Sequence, residues 1–437
     1  MVVFGDSIAW GQGLAENEKY STRLAKFIET RFGNRVSVLK KVYAHSGAKI
    51  GYRLDASDNA YAEKFGRGYV MNDPSYGEIP STFPTIDQQV SSYSVADASR
   101  VDLVLLDGGI NDIGVFEIIH PNTKAVDLEN KTLNSCYYDM KNLLDKIRKK
   151  FTNPKTRIVV TGYYQIVSDQ SDPGFLISLL TLVLGVATAG TLRAKEIIAE
   201  HCQQFAQSAN NDLSKAVAET NAIDGNRGRF LFANPSFAPW NAIFTAPYPW
   251  IYGCNISVGV ISSVSAEDSV KDSRSIQCKA VTQISPLDSL KCNLASVGHP
   301  NPAGAMWYTN SITPVLFPIP TQCRSISDEI NGLQADLNGL QSELDTAVFG
   351  EKAALVKQIQ YLTTRIKAKQ KSLDQCIQLD IDDTFSKMID PFKAWIKFLY
   401  IDLLNRIPNQ NEVDGWFNIL LRGSAPDSIA DGFLYSQ

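Results

Sequence analysis

The chain has 437 residues, too many for one ordinary hydrophobic core, so two or more domains are expected. Its composition, 44% apolar and 20% charged with a net charge of −4, is that of a folded chain, without the basic excess that nucleic acid or an anionic membrane would demand. The seven cysteines include no CxxC-type pair and the four histidines no HExxH, so neither a metal site nor a cofactor is expected.

Met1 is followed directly by Val2-Val3-Phe4, which reads as a first buried strand. So abrupt a start suggests that a leader has been trimmed away. Further apolar runs at 36–42, 101–106 and 157–161 look like parallel strands, and polar helix-like stretches at 17–32 and 133–151 separate them. This alternation predicts a doubly wound α/β unit over residues 1–320, with chemistry at the carboxyl ends of the strands.

Residues 174–192 stand apart: uncharged, rich in Leu, Ile and Val, and near the length of a bilayer span. Gly185 and Gly190 interrupt the run, and it falls in mid-domain. A spanning helix, a buried core helix and an apolar flap near the active site all fit it. The flap would offer contact with a membrane or lipid surface.

From residue 321 to 378 the pattern changes. Ile326, Ile330, Leu333, Leu337, Leu340 and Leu344 step by four and three, and so do Leu355, Ile359, Leu362 and Ile366, with Leu373 continuing the seam past Lys369. Gly350 lies between the two segments, where a turn is needed. An antiparallel coiled-coil hairpin is expected, with Cys323 and Cys376 on the seam at its base and close enough to bond. Cys278 and Cys292 flank a loop and form a second candidate pair. Disulfides would place the chain in an oxidising compartment. Such a hairpin can also zip onto a copy of itself, giving a homodimer. Residues 379–437 read as a small helical tail with helices at 392–405 and 412–421.

Four short motifs carry chemistry. Gly5-Asp6-Ser7 follows the first strand, where a serine would be exposed at the sheet edge with its N–H facing the same space. Gly47 follows the second run, Gly108-Gly109-Ile110-Asn111-Asp112 the third, and Ser296-Val297-Gly298-His299-Pro300-Asn301 precedes an amphipathic stretch at 303–315. Taken singly, these read as a helix-cap serine, turn residues and a structural histidine.

Together and in this order they resemble the four blocks of the SGNH (GDSL) hydrolases. The stretch 159–164, Val-Val-Thr-Gly-Tyr-Tyr, is similar to a strand of their bacterial lipase-like members. The resemblance implies a flavodoxin-like three-layer sandwich around a central parallel sheet, and hydrolysis of carboxylic esters through an acyl-enzyme. It implies Ser7 as nucleophile and His299 as general base, with an oxyanion hole from the Ser7 and Gly47 N–H groups and the Asn111 amide. Fatty-acyl or lipid esters are the expected substrates. Acetylated carbohydrate is the alternative, and a non-catalytic binding protein on the same scaffold a further one. No G-x-S-x-G occurs, which disfavours the α/β-hydrolase elbow.

One position departs from the family. Where Asp is usual, three residues before the histidine, the chain has Ser296. The main chain around Ser296, its hydroxyl, or a carboxylate from elsewhere (Asp288 being the nearest upstream) would have to orient the ring. A Ser–His dyad with main-chain orientation is the reading preferred, and it implies a less basic histidine. The last 45 or so residues, with Phe398-Leu399-Tyr400, Asp414-Gly415-Trp416 and Phe433-Leu434-Tyr435-Ser436, resemble the DUF4214 helical module. That resemblance implies a bacterial, secreted or cell-surface protein.

Overall fold

The computed structural model describes residues 1–56, 58, 77–174, 176, 192–246, 249–257, 260–264, 268–281, 286–347, 352–377, 396 and 408–421. These fall into two compact units, Met1–Lys26 with Val38–Leu316, and Phe27–Ser37 with Phe317–Gln437.

In the first unit, β1 (Val2–Phe4), β2 (Lys41–Val42), β3 (Leu103–Leu106), β4 (Arg157–Thr161) and β5 (Phe230–Ala233) form one sheet in the order β2-β1-β3-β4-β5. Every pairing in it is parallel. This is the flavodoxin-type strand order, with its switch point between β1 and β3. Both strands are buried throughout, as the unbroken apolar runs VVF and LVLL require of strands covered on both faces. The second run pairs only at Lys41 and Val42 because it forms the sheet edge, and Leu39 before it is largely exposed. β5 was not anticipated from the sequence. A β-hairpin of β6 (Cys254–Ser257) and β7 (Val260–Val264) lies outside the main sheet.

Helices flank the sheet. α1 (Ser7–Trp10) follows β1 directly, and α2 (Tyr20–Arg31) matches the stretch expected at 17–32. The helix expected at 133–151 opens as a π-helical segment, Leu133–Asp139, and continues as α3 (Met140–Lys150). Cys136 in that π segment lies where a Cβ on Gly109 would meet its sulfur at 2.9 Å, so the widened turn backs directly onto the loop that carries Asn111. The long α4 (Leu192–Ile223) packs against both parts. α5 (Lys271–Val281) and α6 (Pro286–Asn293) are joined by the Cys278–Cys292 disulfide, and α7 (Pro302–Leu316) closes the unit on β4 and β5.

In the second unit, α8 (Arg324–Thr346) and α9 (352–377) form an antiparallel pair. Cys323 is bonded to Cys376 at the base. Arg365 and Lys369 both reach Glu329, so the lysine that breaks the apolar seam is held by an ion pair. Leu333, Leu337 and Leu373 are buried, and the other heptad positions are partly buried. In the tail, α10 (Gln410–Leu421) covers the helix expected at 412–421. The turn at Gly350, most of the apolar segment 174–192 and all but Ile396 of the helix expected at 392–405 lie outside the described residues. Among the described residues, no helix is long and apolar enough to cross a membrane.

Cys136, Cys202 and Cys254 are buried thiols. Non-reducing peptide mapping should therefore recover two bridged pairs and three alkylatable cysteines after denaturation. Cys323→Ser with Cys376→Ser should destabilise the hairpin by about 4 kcal/mol, the loop-closure value for a ring of this size, measured by urea unfolding followed by far-UV circular dichroism.

Candidate active site

Ser7 is the first residue of α1, at the carboxyl end of β1 beside the sheet's switch point. Asp6 caps the helix, its Oδ1 accepting from the Ile8 N–H at 2.9 Å. The turn at Gly5 (φ +144°) is open only to glycine: an added Cβ would lie 1.9 Å from Asp107 Oδ1. Asp107 takes that space because its carboxylate accepts the Asp6 N–H at 2.7 Å. Tyr163, from the Gly162-Tyr163-Tyr164 run after β4, donates to Asp6 Oδ2 at 3.1 Å and accepts the Ile110 N–H at 3.2 Å. Burial raises both acids, Asp6 to about 6 and Asp107 well above the usual carboxylate range. The serine turn is thus fixed by buried hydrogen bonds from β3 and β4.

His299 comes from 292 residues downstream, and its Nε2 lies 2.7 Å from Ser7 Oγ. Its loop is held by main chain. The His299 N–H donates to Ser296 O at 3.0 Å, Tyr252 N–H to His299 O at 2.8 Å, and Gly298 N–H to Tyr252 O at 3.0 Å. Tyr164 Oη donates to Gly298 O at 2.8 Å, and Tyr252 Oη to Gly13 O at 3.1 Å. The second of these ties the loop to the segment just beyond α1.

Asn111 sits in the short helix after β3, and its side-chain amide donates to Ala48 O at 3.0 Å. Gly47, the residue before, has φ +81° and is pressed against the main chain of Ser81, where a Cβ would lie 2.6 Å from the Ser81 nitrogen. His45 N–H donates to Gly5 O at 3.3 Å. The loops after β1, β2 and β3 are therefore linked by hydrogen bonds.

Ser296 is fully buried. Its carbonyl meets the His299 N–H, while its hydroxyl donates to Asp268 Oδ2 at 2.6 Å. Arg274, fully buried on α5, pairs with Asp268, approaches Ser296 Oγ at 3.2 Å and reaches Glu78 Oε2 at 3.0 Å. Glu78 in turn accepts from Trp10 Nε1 at 2.7 Å and Gln12 Nε2 at 2.9 Å. These three charged residues were missed in the sequence, where they are scattered over almost 200 positions without a motif. Asp288 lies on α6, and its side chain is outside the described residues.

Nδ1 of His299 is buried and makes no hydrogen bond among the described residues. Burial lowers the imidazole pKa to about 4. The main chain of Ser296, and less so of Val297 and Ala295, pulls it up, and the Arg274 charge pushes it down further. The ring is therefore neutral at pH 7, with Nε2 facing the hydroxyl, as proton removal from serine requires. The unfolded chain would bind this proton near pH 6.5 and the folded chain only near 4, so the histidine makes acidification destabilising across that window. With His299 as the general base, as expected from the sequence, kcat/KM should hold level from neutral pH down to about 5 and fall through a midpoint near 4. A free-enzyme midpoint of 6 to 7 would contradict a histidine so buried.

The GDSL-like lipase/acylhydrolase family matches residues 3–216, a span that takes in Ser7, Gly47 and Asn111 and ends before His299. No curated protein and no solved structure gives a match to this chain.

Proposed function

We propose, from the premise that residues 3–216 belong to the GDSL-like lipase/acylhydrolase family of serine ester hydrolases, that Ser7 and His299 are the catalytic pair of this enzyme. The observation that carries the reading is the 2.7 Å approach of His299 Nε2 to Ser7 Oγ. The family match stops short of His299, so the histidine is assigned on its geometry and on the motif resemblance around it.

On this reading His299 removes the serine proton as Oγ attacks the acyl carbon. The tetrahedral oxyanion is held by the N–H groups of Ser7 and Gly47 and by the Asn111 amide. The imidazolium then protonates the leaving alkoxide, and a water activated by the neutral ring hydrolyses the acyl-enzyme. Ser296 supports the histidine loop.

Fatty-acyl or lipid esters are the substrates we favour, on the uncharged, Leu- and Val-rich composition of residues 174–192. An acetylated carbohydrate is the second reading. What favours it is an aromatic group beside the histidine loop: Trp250, whose carbonyl accepts the Asn301 N–H, lies 4.7 Å from Trp307 between ring centroids, and Trp240 is more than half exposed. We read residues 1–320 as the catalytic domain, 321–378 as a hairpin able to pair with a second copy, and 379–437 as a DUF4214-like attachment module. The two disulfides support a secreted or cell-surface setting, and the DUF4214-like resemblance is what suggests a bacterial one.

Ser7→Ala should lower p-nitrophenyl ester hydrolysis by at least about 10³-fold and abolish labelling by a fluorophosphonate. Asn111→Ala should cost about 10²–10³ in kcat. An acyl-chain series should peak at medium or long chains, and activity confined to acetylated saccharides would reverse the substrate preference. Retention of full activity by Ser7→Ala would reject the catalytic assignment.

A further inference from the structure

The chain has a serine at the position from which its family supplies a carboxylate, yet a carboxylate stands directly behind that serine. Asp268, in the turn before α5, is buried and accepts the Ser296 hydroxyl at 2.6 Å. A buried acid must be balanced, and Arg274 balances it. The guanidinium also reaches Glu78, whose carboxylate accepts the side chains of Trp10 and Gln12, and the Gly13 N–H at 3.3 Å. Trp10 ends α1, the helix that Ser7 begins.

The cluster therefore grips the active site at two points. Glu78 holds the segment leaving Ser7, and Asp268 holds the residue whose carbonyl accepts the His299 N–H. The two segments also touch directly: a Cβ on Gly13 would lie 2.8 Å from the Ser296 Cβ. The Cys278–Cys292 disulfide closes the arrangement, since Cys278 is one helical turn beyond Arg274 and Cys292 is four residues before Ser296.

We infer that Asp268 is a positioning residue for His299: through the Ser296 hydroxyl it fixes the turn Ser296–His299 so that the imidazole faces Ser7, replacing by a two-residue link the single acid usual three residues before the histidine. The inference rests on the Ser7–His299 reading above. Asp268 makes no hydrogen bond to the ring, and Nδ1 has no partner among the described residues. The carboxylate thus acts on where the ring sits and, by offsetting the Arg274 charge, on the field the ring feels.

A buried ion pair that merely stabilises the fold would alter melting and leave turnover of the folded enzyme alone. A positioning role alters turnover itself, because a small misplacement of a catalytic group costs up to about 10²-fold. The decisive variant is Ser296→Ala, which cuts the link and leaves Asp268, Arg274 and Glu78 paired. It should lower kcat about 10-fold with KM within about twofold and with an unchanged circular dichroism spectrum. Asp268→Asn should lower kcat at least as far. It should also move the acid limb of kcat/KM to lower pH, because Arg274 then faces the imidazole less balanced. Should Asp268→Asn fail to fold, Ser296→Ala alone decides. If Ser296→Ala keeps wild-type kcat while Ser7→Ala is dead, the positioning role is wrong and the catalytic reading stands. If Ser7→Ala is itself active, the catalytic reading fails first.

Discussion

The site depends on one constraint: a serine at residue 7 and a histidine at residue 299 must keep a 2.7 Å contact across 292 residues of chain. Each group is weak alone. An unactivated hydroxyl is a poor nucleophile, and a buried imidazole is a poor base. As the proposed catalytic pair they are useful only if both loops are held closely in place, and much of the first unit can be understood as the means of holding them. On the serine side the restraint is the buried set Asp6, Asp107 and Tyr163, anchored on β3 and β4. On the histidine side it is a main-chain lattice with residues 249–252, backed by the Asp268–Arg274–Glu78 cluster.

The sheet explains why the serine side could be built locally. In the strand order β2-β1-β3-β4-β5, chain direction reverses its progress between β1 and β3, and the loops leaving those strands diverge to open a crevice. Ser7 and Asn111 are the residues that leave β1 and β3, and the Asn111 amide is fastened to Ala48 on the loop after β2. Topology thus brings three of the four blocks together as a consequence of sheet formation. The histidine block has no such guarantee, since it follows α6 in a loop with no strand behind it.

That difference tracks what could be read from the sequence. Strands β1, β3 and β4 were legible because each is built on a short apolar run, VVF, LVLL and IVV, and the heptads of the hairpin pointed to both its seam and the Cys323–Cys376 bond. β5 was missed although Phe230-Leu231-Phe232-Ala233 is an apolar run as long as that of β3; so short a run does not by itself separate strand from loop, and no chemistry-bearing motif follows it. The Asp268, Arg274 and Glu78 cluster could not have been found at all. Charged residues so far apart have no spacing to read, and their meaning is created only when folding removes them from water together.

Using three buried charges where the SGNH pattern that the chain resembles has one acid is physically costly, and the cost indicates what is gained. Desolvating an ion pair commonly consumes most of its Coulomb attraction, so such clusters add little net stability compared with apolar packing. What they add is intolerance of alternatives. If either loop shifts, Arg274 or one of its two carboxylates is left buried and unpaired, a far larger penalty than a lost van der Waals contact. Here the carboxylates belong to different loops, Glu78 serving the segment after Ser7 and Asp268 the segment before His299, with the guanidinium between them. A displacement of one loop relative to the other must therefore break a buried charge pair. A single acid hydrogen-bonded to the imidazole would orient the ring and leave the two loops free to drift apart. The cluster restrains the loops themselves, while the low basicity of the histidine comes first from its burial and only then from the Arg274 charge.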